Sequence, residues 1–158
     1  MQKDCLNPYS VSKTAGEELC AMYYSLYGLE TVSFRYFNVY GPEGEEHKGS
    51  QASPHYQFKR QAEETGVVKV FENSDQYRRD FVHVSQIVDT HIKFFDVPES
   101  GIWNVGTGTT QSFVDVARLY TTNLVEIPMP DVLRSNYQSY TCADVTKLNE
   151  TLQKYTPR

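Results

Sequence analysis

The amino-acid sequence predicts an α/β fold. Segments in which apolar residues recur at helical spacing alternate with short segments rich in β-branched and aromatic residues, a pattern typical of α/β proteins. Glycines or prolines stand at most segment boundaries, and the chain has no internal repeat or low-complexity stretch. With 158 residues, 39% hydrophobic and 22% charged, the chain can bury a sizeable core.

The first three segments are predicted from periodicity and from their glycines. Residues 10–27 form a helix because their apolar side chains share one face, and Gly28 ends it. Residues 29–37 are predicted to form a strand because they are rich in β-branched and aromatic residues. Residues 38–53 contain three glycines and one proline, so we expect a loop there.

The later segments continue the alternation. A helix over 54–64 is ended by Gly66, and Ser112 is a good N-cap for a helix that reaches about residue 120. A helix that opens a chain and is followed by a strand looks like the end of a βαβ series, so we expect the chain to be the later part of a larger unit. The other predicted elements are strands at 67–71, 101–105 and 124–127, a polar loop at 72–78 that leads into 80–84, and helices at 85–96 and 144–154.

Charge and cysteine content exclude several classes of function. The net charge of −5 argues against bulk nucleic-acid binding, although a few Lys or Arg side chains could hold a small anion. The cysteines Cys5, Cys20 and Cys142 form neither a zinc pattern nor a disulfide framework, and the four histidines lack partners at metal-ligand spacing. No apolar run approaches the roughly 20 residues of a membrane span. These features favour a protein of the reducing cytosol without a metal site.

A tyrosine and a lysine stand four residues apart in "NPYSVSK", as Tyr9 and Lys13. Residues at this spacing share a helix face, and an ammonium stabilises a nearby phenolate. Such a phenol can take a proton from a sugar hydroxyl while a hydride leaves the same carbon. The pattern is common by accident, so on its own it more often marks an ordinary surface pair.

Four motifs in order carry a family resemblance. "NPYSVSKTAGEEL", "FRYFNVYGP", "RRDFVHV" and "WNVGTG" resemble the extended short-chain dehydrogenase/reductase family of nucleotide-sugar epimerases and dehydratases. The loop "EEHKGSQAS" is similar to that of the ADP-L-glycero-D-manno-heptose 6-epimerases, in which it carries a second catalytic lysine. "VFENSDQYRRDFVHV" and "RSNYQSYTCADVTKL" resemble the same subfamily, and the similarity extends over about residues 7–155.

The resemblance implies a reaction and a set of catalytic residues. NADP takes a hydride from one side-chain carbon of an ADP-linked heptose and returns it to the other face of the transient carbonyl. The motifs place the two acid/base groups at Tyr9 and Lys48, with Lys13 assisting Tyr9 and contacting the cofactor. Asn38 would contact the sugar, and the backbone of Val39 the cofactor.

The resemblance also implies a substrate site. Arg79 would hold the diphosphate, because a planar guanidinium can bond two phosphate oxygens at once. Gln57 departs from the subfamily, which is expected to have histidine there. The other implied substrate residues are Ser50 and Gln57 near the sugar, Phe71, Glu72, Asn73 and Ser74 around the ADP, and Tyr137 closing over the ligand.

The implied organisation has residues 1–40 ending a dinucleotide-binding domain and residues 41–158 forming mainly a substrate-binding region. "GTGTT" lacks the third glycine of a dinucleotide fingerprint because Gln111 stands there, so we interpret it as a turn that passes close to its neighbours. Without a glycine-rich cofactor turn in this sequence, the chain is expected to be a fragment that is weak or inactive alone. The full-length enzyme is expected to be a homo-oligomer.

Two alternatives remain open from the sequence. The first is another nucleotide-sugar 4-epimerase or 4,6-dehydratase, which should tolerate replacement of Lys48. The second is a non-catalytic nucleotide-sugar binding fragment, which would retain no nicotinamide cofactor.

Overall fold

The structure, a computed structural model, describes residues 8–42, 44–134 and 137–155 and confirms the α/β class. The helices are α1 (Pro8–Tyr27), a short 3-10 helix (Glu46–Gln51), α2 (Pro54–Thr65), α3 (Val84–Phe94), α4 (Phe113–Arg118), α5 (Asp131–Arg134) and α6 (Thr146–Tyr155). The strands are β1 (Val32–Tyr36), β2 (Asn38–Tyr40), β3 (Val68–Phe71), β4 (Arg78–Arg79), β5 (Phe81–His83), β6 (Gly101–Val105), β7 (Gln111–Ser112), β8 (Leu124–Ile127) and β9 (Tyr140–Thr141).

Parallel pairing dominates the sheets, as expected for this fold class. Strand β1 pairs with β6 from Val32 opposite Gly101 to Tyr36 opposite Val105. Strand β2 pairs with β5, and β3 with β8, also in parallel. Strand β4 lies between β7, which is antiparallel to it, and β9, which is parallel.

Two clusters of buried side chains form the core. The first surrounds Trp103, which is 1% exposed, and the second surrounds the fully buried Val68 and Val116. The members of the first cluster are Val82, Ile87, Phe94, Val97, Trp103, Val105 and Leu148, and those of the second are Phe58, Val68, Val70, Phe81, Val116 and Ala117.

Local capping signals predicted the helix ends well. The Ser112 hydroxyl accepts from the Asp115 N–H at 3.0 Å and the Asp115 carboxylate accepts from the Ser112 N–H at 3.1 Å, which completes a capping box. Gly66 ends α2 in the left-handed conformation, with φ of 71°. Both predictions are confirmed, although α4 ends at Arg118 rather than near residue 120.

The prediction of a continuous loop over 38–53 is wrong at two places. Residues 38–40 form β2 because they pair with β5, a partner far along the chain that no local signal reveals. Residues 46–51 form the 3-10 helix, with the Lys48 N–H donating to the Glu45 carbonyl at 3.0 Å. The polar loop predicted over 72–78 likewise ends in β4, which pairs with β7 and β9.

Helix α1 is held to β1 by an ion pair. The Arg35 guanidinium donates from Nε and Nη2 to the two carboxylate oxygens of Glu17, each at 2.6 Å. This bidentate contact favours the charged guanidinium and raises the pKa of Arg35.

No described side chain of α1 is buried, and no helix among the described residues is long and apolar enough to cross a bilayer. Cys5 lies outside the described residues.

A buried carboxylate joins three chain segments behind β4. Asp80 is 0% exposed and accepts from the Thr107 N–H at 2.9 Å, the Thr107 hydroxyl at 2.7 Å, the Gly108 N–H at 3.0 Å and the Ala143 N–H at 3.1 Å. A Cβ at Gly106 would lie 2.6 Å from both an Asp80 oxygen and the Ala143 methyl group. The "GTGTT" segment is therefore a turn in close contact with its neighbours, as its sequence predicted.

Replacing Gly106 with alanine should destabilise the protein by about 2 kcal/mol, because the new methyl group overlaps buried atoms that cannot move freely. The matched control is Gly16→Ala in α1, where nothing lies within 4 Å of the added Cβ. That change should stabilise by up to about 1 kcal/mol through helix propensity. Urea unfolding followed by the fluorescence of Trp103 measures both, and equal effects of the two variants would contradict the steric argument.

Candidate functional site

Tyr9 and Lys13 lie together on the first turns of α1. The Lys13 Nζ lies 5.1 Å from the centre of the Tyr9 ring, within the range of a cation–π contact. The Tyr9 side chain is 70% exposed, so its hydroxyl is open to a ligand. Among the described residues, no hydrogen bond or ion pair joins this pair to the segment that carries Lys48, and their action on one sugar carbon stays a prediction.

Asn38 and Val39 lie on β2. The Asn38 side chain donates to the Asp80 carbonyl at 3.1 Å, beside the backbone N–H of Asn38, which donates to the same oxygen at 3.0 Å. This gives the amide a structural task in addition to the predicted sugar contact. The Val39 side chain packs against the first core cluster, which leaves its backbone as the predicted cofactor contact.

Lys48 and Ser50 lie on the 3-10 helix, and Gln57 braces that segment. The Gln57 amide nitrogen donates to the Ala52 carbonyl at 2.8 Å and to the Ser50 carbonyl at 3.2 Å. Both amide hydrogens are therefore used within the protein, and the amide oxygen is the atom left for a ligand. A neutral histidine has one N–H, so it could not make both bonds.

A cavity of about 750 Å³ lies beside α2 and β3. Its lining contains two cationic side chains and no carboxylate, which suits an anionic ligand. Four residues predicted from the sequence, Gln57, Phe71, Ser74 and Tyr137, are on its wall. The full lining is Pro54, Gln57, Phe58, Arg60, Gln61, Thr65, Val67, Lys69, Val70, Phe71, Ser74, Phe113, Ile127 and Tyr137.

Arg79 lies on two aromatic rings of that wall. Its guanidinium carbon is 5.2 Å from the Tyr137 ring centre and 5.6 Å from the Phe113 ring centre. Nη1 donates to the Arg78 carbonyl at 2.9 Å, and Nη2 donates to the Gln138 carbonyl. Burial lowers the pKa of Arg79, and burial also raises the pKa of Tyr137.

The Arg79 charge has no carboxylate partner within the part of the chain that the structure describes. A guanidinium stays protonated at neutral pH despite partial burial. A half-buried cation that contacts only carbonyl groups and aromatic rings attracts an incoming anion more strongly than a cation already paired with a carboxylate. The free-energy cost of removing the cation from water has already been incurred on folding. Arg79 does not itself line the cavity, but it lies against Phe113 and Tyr137, two rings that do, so the arrangement can bind a phosphate group beside that wall.

The end of β3 and the turn after it carry four residues that the resemblance assigns to the substrate site. Phe71 ends the strand and Ser74 is 4% exposed, and both line the cavity, whereas Glu72 and Asn73 are exposed and do not. Asn73 adopts a left-handed backbone, with φ of 61°, which asparagine tolerates better than most residues. A ligand contact by Glu72 or Asn73 stays a prediction.

Sequence reasoning missed Glu45, Phe113 and His55. Glu45 is 3% exposed although it lies in a polar, glycine-flanked segment, and nothing in that segment separates it from its neighbour Glu46. Phe113 could have been suspected as the apolar residue directly after a helix cap. His55 lies under a Tyr40 ring at a centroid distance of 3.8 Å, a packing that depends on β2.

Burial lowers the pKa of His55 to about 4, and the nearby Glu45 charge opposes only part of that effect. The ring is 5% exposed and shares a 3.0 Å hydrogen bond between Nδ1 and the Tyr120 hydroxyl. Because the unfolded chain binds a proton near the ordinary value of about 6.5, the unfolded state takes up the proton first as the pH falls. The folded state therefore loses stability between that value and about 4.

Replacing His55 with phenylalanine should reduce this pH dependence. We expect the loss of unfolding free energy between pH of about 7 and about 4.5 to be smaller in the variant by about 2 kcal/mol. Phenylalanine keeps the ring stack on Tyr40 and removes the titrating group. Urea unfolding at both pH values measures the difference, and parallel pH profiles for the two proteins would contradict it.

Comparisons with known proteins agree with this architecture. The sequence profile of the NAD dependent epimerase/dehydratase family matches residues 3–106. The chain is 42% identical over 154 residues to the ADP-L-glycero-D-manno-heptose-6-epimerase of Alkalilimnicola ehrlichii, covering 90% of this chain and 48% of that protein. It is 43% identical over 125 residues to the enzyme of the same name from Brachyspira hyodysenteriae, covering 75% of this chain and 39% of the relative.

A solved structure shows the same fold. The crystal structure of the ADP-L-glycero-D-manno-heptose-6-epimerase of Helicobacter pylori superposes with a TM-score of 0.79 and 27% identity, over 97% of this chain and 46% of that one. The chain thus spans half or less of the length of each of these relatives. Since the family profile covers more than half of the sequence, the chain belongs to the NAD dependent epimerase/dehydratase family.

Proposed function

We propose that this chain is the substrate-binding and proton-transferring part of an epimerase that converts ADP-D-glycero-D-manno-heptose into ADP-L-glycero-D-manno-heptose. The observation that carries the proposal is the cavity without a carboxylate, two of whose wall rings, Phe113 and Tyr137, also contact the Arg79 guanidinium. Among the described residues this guanidinium has no carboxylate partner. The rings and apolar wall would take the adenosine, and Arg79 the diphosphate. The two relatives with over 40% identity, both named heptose epimerases, support the choice of sugar.

The residues near the start of α1 fit a nicotinamide cofactor in their chemistry. Lys13 donates hydrogen bonds only and would bind a ribose hydroxyl, and the β2 backbone at Val39 would contact the nicotinamide end. The cofactor, when bound, supplies the hydride transfer at C6 of the heptose. The choice of NADP over NAD is part of the proposal, since the family profile is described by NAD dependence alone.

The proposed proton transfers use two groups. Tyr9, open to a ligand on α1, takes or gives the proton of the sugar hydroxyl on one side, and Lys48 does so on the other. Lys13, whose Nζ lies 5.1 Å from the Tyr9 ring centre, would assist Tyr9. Asn38 and Ser50 would contact the sugar, as would the free amide oxygen of Gln57.

The proposal includes the setting of the chain. Residues 1–40 would end a dinucleotide-binding domain and residues 41–158 would be mainly substrate-binding. The whole enzyme would be a cytoplasmic homo-oligomer that supplies heptose for the lipopolysaccharide core, and the isolated chain would be weak in turnover. The family also includes dehydratases, so a 4-epimerase or 4,6-dehydratase activity is the second candidate.

Calorimetry on the purified chain tests the nucleotide part of the proposal. ADP should bind with a stoichiometry of one per chain and more tightly than adenosine, because adenosine offers Arg79 no phosphate. Failure of ADP to bind, or equal affinity for adenosine, would overturn the assignment of the cavity. Binding of ADP together with absence of NADP absorbance after incubation with excess cofactor would favour the non-catalytic alternative.

Turnover tests the sugar. With added NADP, conversion of ADP-D-glycero-D-manno-heptose should be detectable by chromatography, and Lys48→Ala should abolish it. A protein that instead releases water from a nucleotide hexose, and tolerates Lys48→Ala, is a dehydratase.

A further inference from the structure

Glu45 is a buried carboxylate within the polar segment 44–53. Its side chain is 3% exposed, whereas the side chain of Glu46, the next residue, is 53% exposed. A buried carboxylate is stable only when several donors face it. The donors therefore identify what Glu45 does.

Three donors face the Glu45 carboxylate, two from Ser53 at the end of the segment and one from Gly41 before its start. The Ser53 N–H donates to Oε2 at 2.6 Å and the Ser53 hydroxyl to Oε1 at 2.7 Å. The Gly41 N–H approaches Oε1 at 3.4 Å. Gly41 directly follows β2, and Ser53 is the N-cap of α2. The carboxylate therefore connects the end of β2 to the start of α2.

Lys48 lies on the segment closed by this connection. The Lys48 N–H donates to the Glu45 carbonyl at 3.0 Å, and the Lys48 Nζ lies 3.9 Å from Glu45 Oε2. The Lys48 side chain is half exposed, so its ammonium remains open to a ligand on its other sides. The Glu45 carboxylate thus anchors the segment that carries Lys48 and places a negative charge beside its ammonium.

A second support comes from α2. Gln57 donates to the carbonyl groups of Ser50 and Ala52, on the far side of Lys48 from Glu45. The contacts of Glu45 and Gln57 therefore hold the backbone of the segment on both sides of Lys48 along the chain.

We propose that Glu45 is the positioning residue of Lys48, because it locks the segment 44–53 between β2 and α2 and holds the amine at the site. The catalytic meaning of this position rests on the proposed function, whereas the lock itself is a property of the fold.

Limited digestion of the folded chain with a protease that cuts after lysine tests the lock, since the bond between Lys48 and Gly49 lies within the segment. Glu45→Gln is nearly isosteric, but glutamine is neutral and has a single acceptor oxygen. It therefore cannot accept from both the Ser53 N–H and the Ser53 hydroxyl as the two carboxylate oxygens do. We expect cleavage after Lys48 to become about tenfold faster, the factor given by loss of one charge-assisted hydrogen bond. Cleavage after Lys59 in α2 and Lys69 in β3 should stay unchanged.

Glu46→Gln is the matched control, because it removes the same charge from the same segment at an exposed position. It should leave cleavage after Lys48 within about twofold of the parent protein. Equal cleavage rates for the parent and Glu45→Gln would overturn the proposal. A parallel rise at Lys48, Lys59 and Lys69 would also overturn it, because Glu45 would then act on global stability.

Ser53→Ala provides a second variant if Glu45→Gln does not fold. It removes the hydroxyl that donates to Oε1 and should also speed cleavage after Lys48, and no change would count against the lock. The ADP calorimetry separates this proposal from the proposed function. Faster cleavage in a chain that does not bind ADP would retain the lock and remove the nucleotide site, and ADP binding with unchanged cleavage would do the reverse.

Discussion

Replacing Arg79 with glutamine should weaken ADP binding by about 30-fold, which corresponds to about 2 kcal/mol and to the loss of a charge-assisted contact. The guanidinium is oriented before a ligand arrives, since two rings and two carbonyl groups hold it. Glutamine is shorter than arginine, is neutral, and lacks the planar fork of donors that the guanidinium presents. Calorimetry with ADP measures the change.

Arg60→Gln is the matched control for Arg79. Arg60 lines the cavity, whereas Arg79 lies behind two of its rings, but the Arg60 side chain is 55% exposed and its Nε lies 3.6 Å from a Glu64 carboxylate oxygen. Its loss should alter ADP affinity by no more than about threefold. Arg79→Lys should recover part of the affinity because the charge remains without the planar fork. An Arg79→Gln protein that binds ADP as the parent does would refute the role.

Replacing Asp80 with asparagine should lower the unfolding free energy by about 3 kcal/mol, because one carboxylate oxygen becomes an NH2 group that faces N–H donors. The carboxylate accepts four hydrogen bonds from Thr107, Gly108 and Ala143. Because the site is fully buried, donors that lose their acceptor cannot bond to water instead. For a domain of this size the expected drop in melting temperature is about 10 °C.

Thermal unfolding followed by Trp103 fluorescence measures the effect of Asp80→Asn. The exposed Asp75 offers the control, because Asp75→Asn makes the same chemical change where water can compensate it. That variant should unfold within about 1 °C of the parent. A melting temperature for Asp80→Asn close to that of the control would show that the buried donors can reorganise at little cost.

Arg79 and Asp80 show how adjacent residues serve different tasks. Successive side chains of an extended chain point to opposite sides. Arg79 therefore lies against the aromatic wall, while Asp80 turns into the interior and joins the turn at Thr107 to the chain at Ala143. We expect Asp80→Asn to weaken ADP binding indirectly, through the position of its neighbour.

Several features of the site followed from local sequence and from resemblance. The motif argument named Gln57, Phe71, Ser74 and Tyr137, and the structure brings these four residues to one cavity. The spacing of Tyr9 and Lys13 predicted that they share a helix face, and they do. The Ser112 cap is a signal contained within four residues, so it could be recognised without a partner segment.

Other features required contacts that the chain makes only on folding. The resemblance places Gln57 in the substrate site, and the structure adds that its amide nitrogen donates to the Ser50 and Ala52 carbonyl groups. Nothing in the sequence distinguishes Glu45 from its neighbour Glu46. Glu45 becomes buried only because the folded chain brings Ser53 against its carboxylate. The glycines and the proline of residues 38–53 predict a loop, and β2 escapes that prediction because its pairing partner lies over forty residues away.

The sequence by itself determined the alternation of helices and strands, the caps, and the residue types of the site, because periodicity, capping and motifs act over a few neighbouring residues. The tertiary structure alone decided which carboxylates are buried, where β2 begins, and which side chains meet at the cavity. The physical reason is that burial and strand pairing depend on distant segments, and their free energies exist only when those segments are in contact.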